Sequence, residues 1–217
     1  MGKTIRLMDT NLTLLPERAL LVPEYKTLVV ADWHLGKGTH FRKAGIFMPP
    51  PSVEKDVQRV QALLDRHAVR TIVFLGDLFH SELNSEWHAF EKLRASNPAT
   101  HFVLTRGNHD ILPDELMRAA GVEVVDRYLL GPGIYCTHHP QESSPLGGLH
   151  IAGHVHPGCL VSNAARQRYR LPCFYHQGHT LLLPAFGALT GLHLMPRRPG
   201  ARIYPIVGDE VWELKKC

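Results

Sequence analysis

The chain has 217 residues, 44% of them hydrophobic and 20% charged, with 24 basic against 20 acidic side chains. That composition fits a soluble globular protein, a single domain over residues 1–217 with a substantial core, and no stretch has the apolar length of a bilayer crossing. A net charge of +4 is too mild to require a polyanionic partner, although it permits one.

The opening MGKTIRLMDT holds no apolar run suited to a secretion signal, and Arg6 stands where an N-myristoylation motif needs Ser or Thr. The expected compartment is the cytoplasm. KTLVVADWH is a continuous apolar run ending in polar residues, and TIVFLGDLFH and THFVLTRGNHD repeat the design. Each predicts a buried strand that ends in a loop. Between the first two, PSVEKDVQRVQALLDRHA places Val53, Val57, Val60 and Leu64 at helical spacing. Ser52 is set to cap that helix, and Glu54, Lys55, Asp56 and Arg59 are left for solvent. SEWHAFEKLRA predicts a second helix, and PDELMRAAG a third that starts at Pro and ends at Gly. The first half is therefore a βαβαβα pattern with parallel strands.

The second half changes character. GIYCTHHP, LHIAGHVHP, YRLPCFYH, HTLLLPAFG and ARIYPIVGDEVWEL are short strand-like segments punctuated by Gly and Pro, for which an antiparallel sheet is the natural reading. Two sheets packed face to face, with helices outside at least one, would hold both halves in one domain. The cysteines Cys136, Cys159, Cys173 and Cys217 are scattered, form no C-x-x-C pair and read as reduced thiols.

Fifteen histidines are the unusual feature, because neutral imidazole is the commonest metal ligand. In a parallel sheet the loops leaving the carboxyl ends of neighbouring strands converge on one edge. At those ends stand Asp32 and His34, Asp77 after Gly76, and Asn108 and His109 after Gly107. The second half adds His138 and His139, then His154 and His156. Taken singly, each has an ordinary alternative: a turn or helix cap for Asp32 or Asp77, one face of a strand for His154 and His156. Together they form a mixed oxygen and nitrogen set suited to Mn, Fe, Co, Ni or Zn. Burying so many polar groups without a counter-cation would be costly, and one or two metal ions offset that cost.

Asp32-Trp33-His34, Gly76-Asp77, Gly107-Asn108-His109-Asp110, His138 and Gly153-His154-Val155-His156 together resemble the motif set of the calcineurin-like metallophosphoesterases. The resemblance implies an α/β four-layer αββα sandwich of two mixed β-sheets flanked by helices. It implies that Asp32, His34 and His156 hold one metal, that Asn108, His138 and His154 hold the other, and that Asp77 bridges them. Choosing His138 over His139 follows the family's placing of this ligand at a strand end. GDLFHS, CTHHP, GHVHP, RLPCF and LLLPAFGALTG further resemble the bacterial ligase-associated DNA-damage-response endonucleases or phosphodiesterases of the PdeM type. Leu78, Phe79 and His80 replace the Asp-Arg-Gly of phosphoprotein phosphatases, and neither Phe79 nor His80 supplies the Tyr ligand of purple acid phosphatases.

The function these readings imply is hydrolysis of phosphodiester bonds, as a DNA endonuclease in bacterial DNA repair, by a hydroxide bridging two divalent transition-metal ions. Manganese is the expected metal, with zinc or iron the alternatives. His109 is the expected general acid, and Asp110 either orients it or begins a turn. Arg106, His80 and His139 are the candidate substrate contacts, with a cap or salt bridge the plainer alternative for Arg106 and His80. Arg166, Arg168 and Arg170 alternate, so in a strand they would share a face that either tracks a phosphate backbone or meets solvent. His67, His88, His101, His176, His179 and His193 lie outside any motif, and Arg197, Arg198, Lys215 and Lys216 read as surface charge. The expected partners are DNA and repair proteins such as a ligase and a helicase. The competing functions are a nucleotide phosphatase or pyrophosphohydrolase, and a non-catalytic scaffold of the same fold in a repair complex.

Overall fold

The computed structural model describes residues 1–38, 45, 52–80, 85–141 and 147–214. The apolar runs of the first half become parallel strands β4 (Thr27–Ala31), β5 (Thr71–Leu75), β6 (His101–Thr105) and β7 (Val122–Val125). Helices α1 (Ser52–Arg66), α2 (Ser85–Ser96) and α3 (Asp114–Ala119) connect them in turn. Ahead of them an antiparallel meander, β1 (Lys3–Leu7), β2 (Thr10–Leu15) and β3 (Ala19–Val22), extends the sheet in the order β1-β2-β3-β4-β5-β6-β7. The interiors of β4, β5 and β6 are apolar because both of their faces are covered, while the edge strand β7 carries the exposed Glu123. Leu28, Val30, Ile72, Phe74, Phe102 and Leu104 pack with Val60 and Leu63 of α1, Trp87, Phe90 and Leu93 of α2, and Met117 of α3. The alternate residues Val29, Ala31, Val73, Leu75 and Val103 face the second sheet.

The second sheet is built from β8 (Tyr128–Gly131), β9 (Ile134–Thr137), β10 (Leu149–Ala152), β11 (Pro157–Ser162), β12 (Arg168–Gln177), β13 (Thr180–Leu182) and β14 (His193–Leu194). Its order is β14-β11-β12-β13-β10-β9-β8, with β15 (Arg202–Val207) beside β12 and β16 (Glu210–Val211) beside β15. Ile134, Cys136, Ile151, Phe174, Leu181 and Tyr204 close the core between the sheets. A smaller cluster on the outer face joins Ala152, Cys159, Cys173, Tyr175, Leu182 and Ile203.

Two mixed sheets packed face to face are the architecture the motifs imply. The purely antiparallel second sheet read from the Gly- and Pro-punctuated segments is corrected, because β10 runs parallel to both β9 and β13. The three helices described above all pack on the first sheet.

Asp56 and Arg59 are not the solvent-facing residues their helical positions suggest. Asp56 is buried and pairs with Arg59 at 3.1 Å. The Arg59 guanidinium lies 3.8 Å from the centre of the Phe186 ring and donates to the Phe186 carbonyl, while Asp56 Oδ2 accepts the Ala188 N–H at 3.3 Å. The segment after β13 thus crosses α1 and returns to the end of β4. There Phe186 N–H donates to Ala31 O at 2.7 Å and Gly187 N–H to Asp32 O at 3.2 Å. The Ser52 cap and the Val53 contact fall on side chains outside the described set, as do Lys215 and Lys216.

Candidate metal centre

The carboxyl ends of β4, β5 and β6 meet those of β9 and β10, and the chain turns sharply as it leaves them. Asp32, His34, Asp77, His154 and His156 have φ of 52°, 53°, 48°, 67° and 52°. Non-glycine residues held in the left-handed region each cost about 1–3 kcal/mol and persist only where the surroundings fix them. Here the loops fix one another: His34 N–H donates to Asp77 O at 2.8 Å, Leu35 N–H to Leu78 O at 2.9 Å, and His80 N–H to Leu35 O at 2.7 Å. His154 and His156 therefore stand in a turn, not on one face of a strand. The neighbouring glycines are there for close approach. A Cβ on Gly76, itself at φ +66°, would sit 2.3 Å from His138 Nδ1, and one on Gly153 would sit 2.8 Å from Asp32 Oδ2.

Asp32, His34, Asp77 and His138 are all buried. Asp77 faces two ways: Oδ2 lies 3.7 Å from His34 Nε2, and Oδ1 lies 3.6 Å from His138 Nε2. On the His34 side, His156 Nε2 is 3.5 Å from His34 Nε2 and 3.4 Å from Asp32 Oδ1. On the His138 side, Nε2 is 3.0 Å from Asn108 Oδ1 and 3.2 Å from His154 Nδ1. Asp32 also accepts the His154 backbone N–H at 2.9 Å. Donor atoms of Asp32, His34 and His156 lie within 4.8 Å of one another, as do those of Asp32, Asp77 and His138 and those of His138, His139 and His154.

This donor set fits divalent cations. Two buried carboxylates are ringed by imidazole nitrogens that point at one another, an arrangement that lone pairs alone do not satisfy and a shared cation does. Burial, reinforced by the charge of Lys37 and of neighbouring imidazoles, pushes His34 down to about 2, so its ring is neutral and able to ligate. Burial likewise lowers His139 and His154, each further lowered by His138. His138 Nδ1 lies 2.8 Å from Leu75 O, to which it can only donate, leaving Nε2 free for a metal. His139 is exposed at the rim, with its ring centre 4.3 Å from that of His154.

For two residues the alternatives left open by the sequence are narrowed. Asp110 does not orient His109: its carboxylate accepts the N–H groups of Asp77 and Gly107 at 2.8 Å and of Leu78 at 2.9 Å. It ties the β5 loop to the β6 loop, and His109 is instead held through its backbone N–H, which donates to Asp77 Oδ1 at 2.8 Å. Arg106 takes the salt-bridge alternative, pairing with Asp114 and donating to Asp110 O at 2.6 Å. His80 has its Nδ1 3.3 Å from His34 Nδ1, which places it behind His34 as well as beside His109, the His80 and His109 ring centres being 5.2 Å apart. Of the three alternating arginines, Arg168 and Arg170 lie in β12, while Arg166 precedes it with φ 61°.

Sequence reasoning passed over Lys37, whose charge acts on both His34 and Asp77. It also passed over His150, fully buried in β10. The ring stacks on Tyr135, with centres 4.6 Å apart and planes at 9°. The Thr137 hydroxyl donates to His139 O at 2.7 Å and so accepts from His150 Nε2, also at 2.7 Å. The Gln141 N–H meets His150 Nδ1 at 3.5 Å. His150 thus fixes the loop carrying His138 and His139. Its signal was a polar residue amid an apolar strand.

Among known proteins, residues 25–157 match the calcineurin-like phosphoesterase family. The chain is similar over 99% of its length to the whole of a solved Pseudomonas putida nuclease MPE, at 29% identity and a TM-score of 0.84. A protein of unknown function from Aquifex aeolicus, AQ665, aligns over 60% of this chain and 78% of its own at 18% identity, but its TM-score of 0.44 carries no argument. No curated protein matches. With the matching motifs gathered at one sheet edge and the family match spanning them, the chain belongs to the calcineurin-like phosphoesterases, metal-binding hydrolases of phosphate esters.

Proposed function

We propose that the chain is a dinuclear metal-dependent phosphodiesterase that cleaves DNA. The observation that carries this reading is the two-way Asp77 carboxylate, one oxygen toward His34 and the other toward His138. Asp32, His34 and His156 would hold one divalent cation, Asn108, His138 and His154 the other, and Asp77 both. When bound, the pair supplies an activated water at neutral pH and neutralises charge on the phosphate. His109 donates a proton from its imidazole to the departing alkoxide oxygen, a role worth about 10²–10⁴-fold in rate. Its backbone bond to Asp77 keeps it in register with the ligands. His139, exposed beside His154, and Lys37, beside Asp77, contact the non-bridging phosphate oxygens, while His80 steadies His34. Similarity to a nuclease favours DNA as the substrate. Manganese as the metal, and a place in DNA repair alongside a ligase and a helicase, follow the motif resemblance.

The test compares chelator-stripped protein with the same protein refilled with Mn²⁺, on single-stranded DNA, duplex DNA and bis-p-nitrophenyl phosphate. Refilling is expected to restore cleavage of DNA and of the small diester. A protein that takes up no transition metal, or that stays inert on every diester once filled, overturns the reading.

A further inference from the structure

The hairpin of β11 and β12 stands clear of the sandwich. Tyr175 of β12 is level with Leu182 of β13, and Leu182 with Ala152 of β10, two residues before His154. The part of β12 that precedes Tyr175 therefore runs past the sheet edge that carries the candidate ligands. There residues 168–171 pair with β11 and with no other described strand, and residues 162–170 are all exposed.

The two faces of the hairpin differ. Along β12, Leu171, Cys173 and Tyr175 belong to the outer apolar cluster, while Phe174 faces the first sheet. Alternation sets Arg168 and Arg170 on the Phe174 side, the side on which the first sheet carries Asp32, Asp77 and Asn108. The contacts of Leu192 place Arg170 more closely. Arg170 Nη2 donates to Leu192 O at 3.0 Å, and the next N–H along the chain, that of His193, donates to His156 O at 3.0 Å. Only one peptide unit separates those two bonds, so the Arg170 guanidinium lies within about 9 Å of the backbone of a candidate ligand. Arg168 is two residues farther out, about 7 Å along the strand, a step comparable with that between successive phosphates of a nucleic acid.

Charge is segregated in the same way. No Asp or Glu occurs between Glu142 and Asp209, a stretch that holds six arginines, so the net positive charge of the chain is concentrated there. Arg170 gives one N–H to Leu192 O, and the other donors of its guanidinium fork suit a phosphate. An acidic protein surface would meet the same charges, but only a polyester strand would continue from them to the candidate metal centre.

We propose that this hairpin holds the DNA strand on one side of the scissile phosphate, with Arg170 taking the nearer backbone phosphate and Arg168 the next. The proposal rests on the phosphodiesterase reading, and it adds a surface that a small diester is too short to reach.

The test measures kcat/KM of the Mn²⁺-loaded full chain on single-stranded oligothymidylate and on bis-p-nitrophenyl phosphate over a series of KCl concentrations. The variants are Arg168→Ala, the double Arg168→Ala/Arg170→Ala, and the charge-keeping Arg168→Lys/Arg170→Lys. On oligothymidylate the double alanine variant should lose about ten-fold at low salt, and its log kcat/KM should fall less steeply with log salt by about 1.4, or about 0.7 for each phosphate contact removed. Arg168→Ala should show about half of that change in slope, and the lysine pair should keep the parent's slope. Activity on bis-p-nitrophenyl phosphate should match the parent throughout. A parental rate and salt slope on oligothymidylate in the double alanine variant overturn the proposal. If loss of the Arg170 bond to Leu192 lowers activity on both substrates alike, Arg168→Ala decides alone, and an unchanged salt slope there overturns the proposal. A parent inert on bis-p-nitrophenyl phosphate overturns the phosphodiesterase reading instead, and the same salt slopes, read from binding of labelled oligothymidylate, then decide the role of the hairpin.

Discussion

His150 allows a pH experiment whose size follows from its surroundings. The ring is fully buried, and burial, aided by the charges of His179 and Arg127, lowers it from 6.5 to about 4. A base whose folded value is depressed takes up its proton more readily when unfolded, so its contribution is neutral above the unfolded value and turns against folding as pH falls below it. Between about pH 7.5 and about pH 5 the linkage relation gives a loss of about 2 kcal/mol from this one side chain. His34, His139, His154 and His176 are shifted in the same direction, so the slope of the parent alone does not isolate it. The informative quantity is the stability gap between the parent and His150→Gln, measured in chelator so that metal release does not enter. Urea unfolding followed by fluorescence suits this, because Trp33 and Trp87 are both buried. The variant loses the stack on Tyr135 at all pH values, and the gap in the parent's favour should narrow by about 2 kcal/mol on acidification. A gap that does not change with pH would refute the argument, since it would mean that His150 titrates alike in the folded and unfolded chain.

Asp110→Asn turns an amide N–H₂ toward backbone donors that now meet a carboxylate oxygen. With hydrogen bonds to a charged group worth about 1.5–3 kcal/mol each, stability should fall by about 3 kcal/mol. Mn²⁺ affinity should fall with it as the Asp77 loop loosens, and urea midpoints taken with and without Mn²⁺ measure both. His109→Ala should keep its metal content yet lose about 10²–10⁴-fold in turnover on diesters with alkoxide leaving groups. The loss should be much smaller with a nitrophenolate leaving group, which needs no proton, and equal losses on both would remove the general-acid role.

The first-half strands and the meeting of the candidate ligands at one sheet edge were legible because they answer to local rules. Strands buried on both faces are apolar without interruption, and the polar residues that end them fall at one sheet edge by topology. What the sequence did not disclose depends on contacts between distant segments. Asp56 and Arg59 look solvent-facing on a helix wheel until the loop around Phe186 is laid across them. Asp110 follows His109 in sequence, yet its carboxylate is claimed by amides of the β5 loop. The parallel placement of β10 against β9 and β13 is likewise invisible in short segments that any pairing would suit. The β1–β3 meander went unread although Asn11-Leu12-Thr13-Leu14 alternates as a half-buried strand does.

The left-handed backbone at five of the seven candidate ligand positions bears on any attempt to transplant this site. Glycine would ease the torsion there but bring no donor atom, whereas Asp or His grafted onto an ordinary strand end would aim elsewhere. A designer borrowing the chemistry must therefore import the interlocked turns, together with the small residues that let them touch, before the seven side chains mean anything. Mutational scanning should find these turns intolerant even of exchanges that preserve ligand type, because Asp and Glu or His and Gln share chemistry without sharing reach.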